Sequence, residues 1–280
     1  MTVIALTSSK GSPGVTTTAL ALAWVWPEVA PARRVLVVDA DVAGGDITTG
    51  YLRGAVTSTD GLLGLAGGRS DDAVAALWNH LMALDDDGTR LLLTGISDPA
   101  QARSLVGTWS PLAGVFAKLD DEDPPVDVIV DLGRLGSTHE AAVLRQRAAH
   151  VLLVMRSSLT STASARSAVR RLAEERAAAH EDPLGLGCVL VGECQPYSRA
   201  EIADAVGAPV VATIAWDPTA ADVFSTGSPA GWRFGRSPLL RSARAAAAAL
   251  CTAATPTHVP PAQREPIPAA GRAHGQGVAT

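Results

Sequence analysis

The sequence predicts a doubly wound α/β fold, a mostly parallel sheet with helices on both faces. Three observations carry that expectation. Short continuous apolar runs such as Val3-Ile4-Ala5-Leu6 and Val35-Leu36-Val37-Val38 have strand length and no polar alternation, as strands covered on both faces do. Alanine-rich stretches of helical length separate those runs, which is the βαβ alternation of a parallel sheet. Acidic or glycine-rich segments follow several runs directly, at the strand ends where open α/β sheets bind ligands.

Taken in order, Val3 to Thr7 is the first strand, and the alanine- and leucine-rich stretch from Thr16 to Trp26 is the first helix. Val35 to Asp39 is a second strand, and Asp71 to Leu84 reads as a helix before a short strand at Leu91 to Leu93. Val126 to Asp131 and Val151 to Val154 are strands on either side of a helix from Thr138 to Ala149. The alanine-rich segment Thr162 to His180 then leads to strands at Cys188 to Val191 and Pro209 to Ile214, separated by a helix at Arg199 to Val206. Pro238 to Cys251 is the last helix, solvated on one side and without the bulky face of a membrane-surface helix.

A chain of 280 residues with 47% hydrophobic and 18% charged side chains can fill a large core, so one domain is expected over residues 1–252. Residues 253–280 are rich in Pro, Ala and Gly with almost no large apolar side chains, which predicts a disordered tail. The net charge of -5 argues against coating of nucleic acid. Cys188, Cys194 and Cys251 form no C-x-x-C pair, so core thiols are expected, and the histidines show no ligand spacing. Core packing is the expectation for Trp216 and Trp232, with a partner-binding surface as the alternative. Met1 leads into a strand without a basic region and no apolar stretch reaches membrane-spanning length, so a cytoplasmic protein is expected.

The chemistry concentrates after the first strand, in Ser8-Ser9-Lys10-Gly11-Ser12-Pro13-Gly14-Val15-Thr16-Thr17-Thr18. A phosphate-binding loop has the form G-x-x-x-x-G-K-[ST]: backbone N–H groups cradle phosphates, the lysine reaches the β and γ groups, and the hydroxyl holds magnesium. Gly14 and Thr16 fit that form, whereas Ser9 and Val15 do not. A strand-to-helix turn without a ligand is the alternative that the glycine pattern leaves open. Val35-Leu36-Val37-Val38-Asp39-Ala40-Asp41 places two acids just past a strand, and Val128-Ile129-Val130-Asp131 repeats the device. Acids so placed suit a magnesium phosphate or an attacking water, although Asp is also common in ordinary turns.

Lys10-Gly11-Ser12-Pro13-Gly14-Val15-Thr16-Thr17 resembles the deviant Walker A motif of the ParA/MinD superfamily, K-G-G-x-G-K-[ST]-[ST], with its signature lysine kept at Lys10. Asp39-Ala40-Asp41-Val42-Ala43-Gly44-Gly45-Asp46-Ile47 resembles the D-x-D-x-x-x-G-D segment of the CpaE/TadZ branch, which helps place pilus and secretion machinery. Ser198-Arg199-Ala200-Glu201-Ile202 and Ile214-Ala215-Trp216-Asp217 are also similar to that branch. The resemblance covers Thr2 to about Ala249 and implies a P-loop NTPase-like domain that binds ATP and Mg2+ and forms a homodimer.

By that resemblance, Gly11, Ser12, Pro13, Gly14, Val15, Thr16 and Thr17 form the nucleotide loop, while Thr16, Asp39 and Asp131 hold the metal. Asp41 positions the hydrolytic water, and Lys10 reaches across a nucleotide-sandwiched dimer to the partner's phosphate. Val15 replaces the intramolecular lysine, and Gly192-Glu193 stands about where the family often has an adenine-reading asparagine. A hydrogen bond to a charged group is worth roughly 1.5–3 kcal/mol, so the missing lysine weakens phosphate binding about tenfold to a few hundredfold. Turnover suffers more, because charge on the transferred group grows toward the transition state. The expectation is a positioning factor with weak or absent hydrolysis that localises a secretion, pilus or division assembly and meets the inner face of the membrane only through a partner. An active ATPase of septum-site selection or DNA partition is the alternative, with DNA contact through Arg233, Arg236, Arg241 and Arg244 the less favoured option.

Overall fold

The computed structural model describes residues 3–55, 60–68, 72–136, 141–179 and 185–253. The tail expected over residues 253–280 lies, beyond Ala253, outside the described residues. Eight strands form one sheet: β1 Val3–Ser8, β2 Arg34–Asp39, β3 Met82–Ala83, β4 Arg90–Leu93, β5 Val126–Arg134, β6 His150–Arg156, β7 Leu186–Val191 and β8 Val210–Ile214. Their order is β3-β4-β2-β5-β1-β6-β7-β8, and every neighbouring pair is parallel except β3 with β4. β1 lies between β5 and β6, with β2 beyond β5. The loops after β1, β2 and β5 therefore meet at one edge of the sheet.

The helices are α1 Val15–Val29, α2 Gly61–Gly67, α3 Ala73–Trp78, α4 Trp109–Phe116, α5 Ala142–Gln146, α6 Leu159–Ala178, α7 Arg199–Val206, α8 Pro218–Thr226 and α9 Pro238–Ala253. They cover both faces, because the buried strand residues alternate between two core layers. Val3, Ala5, Leu36, Val38, Val128 and Val130 pack in one layer with α4, α6 and α7. Ile4, Leu6, Val35, Val37 and Ile129 pack in the other with α1, α8 and α9. The continuous apolar runs thus reflect burial on both sides.

The structure departs from the sequence reading in several places. The expected helix from Asp71 to Leu84 is the short α3, begun by the Asp72 side chain accepting from the Val74 and Ala75 amides. It gives way to β3, whose Met82 and Ala83 pair with Leu92 and Leu91. That pairing is made by distant chain, so local propensity does not show it. α1 runs past Trp26 and through Pro27, with Trp26 fully buried and its indole donating to Asp127 at 3.1 Å. Trp216 and Trp232 are not core residues, being 46% and 82% exposed. One guanidinium lies against each ring: Arg156 is 3.5 Å from the Trp216 ring centre and Arg233 4.4 Å from that of Trp232. Of the three cysteines only Cys188 is buried; Cys194 is exposed and Cys251 half-buried. No helix among the described residues is long and apolar enough to cross a membrane.

Candidate nucleotide site

The loop between β1 and α1 turns on two glycines in left-handed conformation, Gly11 at φ 72° and Gly14 at φ 101°, where a side chain would be strained. Gly14 caps α1 without a side-chain hydrogen bond and the first turn carries no acid. The amides at the start of this 15-residue helix are therefore available to an anion, with the helix dipole behind them. Gly11, Ser12, Pro13, Gly14, Val15, Thr16 and Thr17 all line a cleft of about 840 Å3 at the sheet edge, joined by Asp41 and Arg134. Phe224 of α8 lines the same cleft and is held edge-on by Trp24 and Phe234. Val15 is 6% exposed and belongs to the core layer under α1, so the position where the family resemblance expects a lysine holds a packed aliphatic group.

Asp39 and Asp131 lie beneath this cleft, directly opposite one another in the parallel pairing of β2 with β5. Both are 1% exposed. The Asp131 Oδ1 accepts from the Gly133 amide at 2.9 Å, and the Thr16 hydroxyl faces the same carboxylate. Asp39 is held by the amides of Asp41 and Gly95. The Oδ2 atom of each acid is buried without a hydrogen-bond partner. Burial, reinforced by the charge of Asp131, pushes the Asp39 carboxyl well above the usual range, and burial raises Asp131 to about 6. Two adjacent buried carboxylates with orphaned oxygens are costly by themselves, and a bound cation would offset that cost.

These donors fit Mg2+, which takes oxygen ligands and is bound by one or two carboxylates, with waters and substrate phosphates completing its shell. Accordingly, a cage of three or more His, Cys, Asp or Glu side chains is neither required nor found among the described residues. Thr16 and the two orphaned oxygens are the groups that would hold the ion, directly or through its waters.

Asp41 stands apart from this pair, in the cleft wall. Its Oδ1 accepts from the Ala43 amide at 2.8 Å, and burial followed by the charge of Asp46 shifts its carboxyl upward. Glycines frame the acids: a Cβ on Gly45 or Gly95 would overlap the Asp39 carboxylate, and one on Gly133 would overlap that of Asp41. Gly95, Gly133 and Arg134 are site residues that sequence reasoning missed. Gly95 and Gly133 each follow a predicted strand end closely, the one available signal. Lys10 does not enter the main cleft; it lines an adjoining cavity of about 320 Å3 with Arg156, Ser158, Thr160 and Ser161. Glu193 is also outside the cleft, where it accepts from the Arg199 amide at 3.3 Å.

No protein-family model matches the sequence, and no curated protein matches it. Solved structures do match the fold. The cell-division ATPase MinD of Pyrococcus furiosus is 20% identical with a TM-score of 0.68, over 90% of this chain and 99% of that one. A ParA family ATPase from Chlorobium tepidum is 19% identical with a TM-score of 0.66, over 88% and 97%. The septum site-determining protein MinD of Pyrococcus horikoshii, complexed with Mg-ADP, is 18% identical with a TM-score of 0.65, over 88% and 94%. The fold of this chain is that of the MinD and ParA P-loop NTPases.

Proposed function

From a fold shared with MinD and ParA ATPases, we propose that this chain is a nucleotide-dependent positioning factor of the CpaE/TadZ kind. It binds ATP with Mg2+, dimerises on it, hydrolyses it slowly or not at all, and localises a secretion, pilus or division assembly. One observation supports this reading above the others: a glycine loop, Thr16 and two orphaned buried acids converge at one sheet edge, while a buried Val15 occupies the lysine position. The loop amides and the start of α1 cradle phosphates. Thr16, Asp39 and Asp131 hold the metal, and Asp41 orients a water. Lys10, outside its own cleft, reaches the phosphates of a second subunit.

The alternative of an active ATPase uses the same cleft and is favoured by Asp41 lining it. DNA partition has less support. Arg244 is engaged by Glu28 and by the Gly235 carbonyl, Arg241 by the Arg236 carbonyl, and Arg233 by Trp232. A titration with labelled ATP and Mg2+, run beside a phosphate-release assay, tests the proposal. It expects binding at micromolar or weaker affinity with release near background. Robust multiple turnover overturns it.

A further inference from the structure

We propose that Arg134 supplies, from the end of β5, the positive charge that the loop lacks at Val15, and that it binds the terminal phosphates of a nucleoside triphosphate. This assignment rests on the nucleotide-site reading above. Geometry carries it first. Val128, Val130 and Leu132 pack in one core layer and Ile129 in the other, so strict alternation would send Arg134 with Leu132, away from α1. Gly133 breaks the alternation with a φ of 56°, and the pairing of β5 with β1 slips between Leu6 and Ser8. Past that irregularity Arg134 lines the cleft with Gly14, Thr16 and Asp41.

Charge carries it further. Arg134 is the one cationic side chain among the described residues lining the cleft, which otherwise holds the acids Asp41 and Asp46. Without it a triphosphate would meet two carboxylates and no side-chain cation of its own subunit in the cleft. Arg134 is exposed and makes no hydrogen bond or ion pair with described residues, although its charge acts on Asp41. A free guanidinium presents a planar fork of N–H donors that matches phosphate oxygens in pairs, which a lysine cannot do. Because the arginine is three residues from Asp131 on one strand, phosphate and metal contacts are tied to the same element. Loop amides and a strand arginine together replace the usual pairing of loop amides and loop lysine.

Calorimetric titration of ATP, ADP and adenosine, each with Mg2+, into the native protein, Arg134→Ala and Arg134→Lys tests the assignment. Arg134→Ala is expected to weaken ATP about tenfold to a hundredfold, ADP less, and adenosine not at all, with Arg134→Lys recovering part of the loss. Adding Val15→Lys to Arg134→Ala is expected to restore most of the ATP affinity. Equal ATP affinity in native and Arg134→Ala protein overturns the role of Arg134 while leaving the nucleotide site standing. Equal weakening of ATP and adenosine also overturns it, since that marks a structural effect. Failure of the native protein to bind ATP overturns the underlying reading and this assignment with it.

Discussion

Replacing Asp131 with asparagine removes one of the two buried carboxylates under the cleft. Burial holds the Asp131 carboxyl at about 6, against 3.8 for an ordinary aspartate. At about 1.4 kcal/mol per pH unit, that rise makes the ionised group cost the folded state about 3 kcal/mol at pH 8. Between those two values the folded chain still holds a proton that the unfolded chain has released. Stability therefore falls as pH rises through this window and stays low above it, with about 2 kcal/mol of the fall lying between pH 4.5 and pH 8. Asp39, displaced in the same direction by burial and by Asp131, adds to the slope. Asp131→Asn abolishes the first contribution and relieves part of the second. Urea unfolding at pH 4.5 and pH 8 without divalent ions reads the difference: the native protein should lose about 2 kcal/mol more than the variant. Mg2+ at pH 8 should then stabilise the native protein and leave the variant unmoved, because binding to the folded state adds stability by mass action. Parallel pH profiles with equal responses to Mg2+ would show that Asp131 neither titrates as a buried acid nor holds the ion.

Three other substitutions probe separate parts of the account. Gly45→Ala pushes a methyl group into the Asp39 carboxylate, so the urea midpoint should drop by the equivalent of about 1–3 kcal/mol; an unchanged midpoint would show that the contact relaxes freely. Lys10→Ala should leave the monomer folded and remove any ATP-dependent dimer in sedimentation velocity, whereas an undiminished dimer fraction would show that Lys10 does not act between subunits. Ser198→Ala removes the reciprocal cap at the start of α7, in which the Ser198 hydroxyl accepts from the Glu201 amide and Glu201 accepts from the Ser198 amide. That loss should cost about 1 kcal/mol with an unaltered denaturant slope, and full native stability would count against the cap.

Much of the fold was legible because its signals are local. The run from Val3, the turn glycines and the alanine-rich α1 announce a strand, loop and helix within the first thirty residues. Asp39, Asp41 and Asp131 stand just past apolar runs, so their arrival at one sheet edge follows from parallel pairing. The opposition of Asp39 to Asp131 was not legible, since it depends on the register of β2 against β5. Arg134 was hidden for a related reason: its entry into the cleft depends on the backbone at Gly133, and alternation alone sends it elsewhere. β3 was masked by an apparently helical stretch, because only pairing with β4 makes two residues a strand. Trp216 and Trp232 misled because hydrophobicity suggests burial, while each indole lies at the surface in contact with a guanidinium.

The proposed loss of turnover rests on Val15. The most direct measurement compares Mg-ATP affinity and steady-state phosphate release in the native protein and Val15→Lys. Near-background release is expected from the native protein and measurable turnover from Val15→Lys, with ATP binding in Val15→Lys at least as tight as in the native protein, where Arg134 already meets the phosphates. Native turnover equal to that of Val15→Lys would contradict the proposed loss.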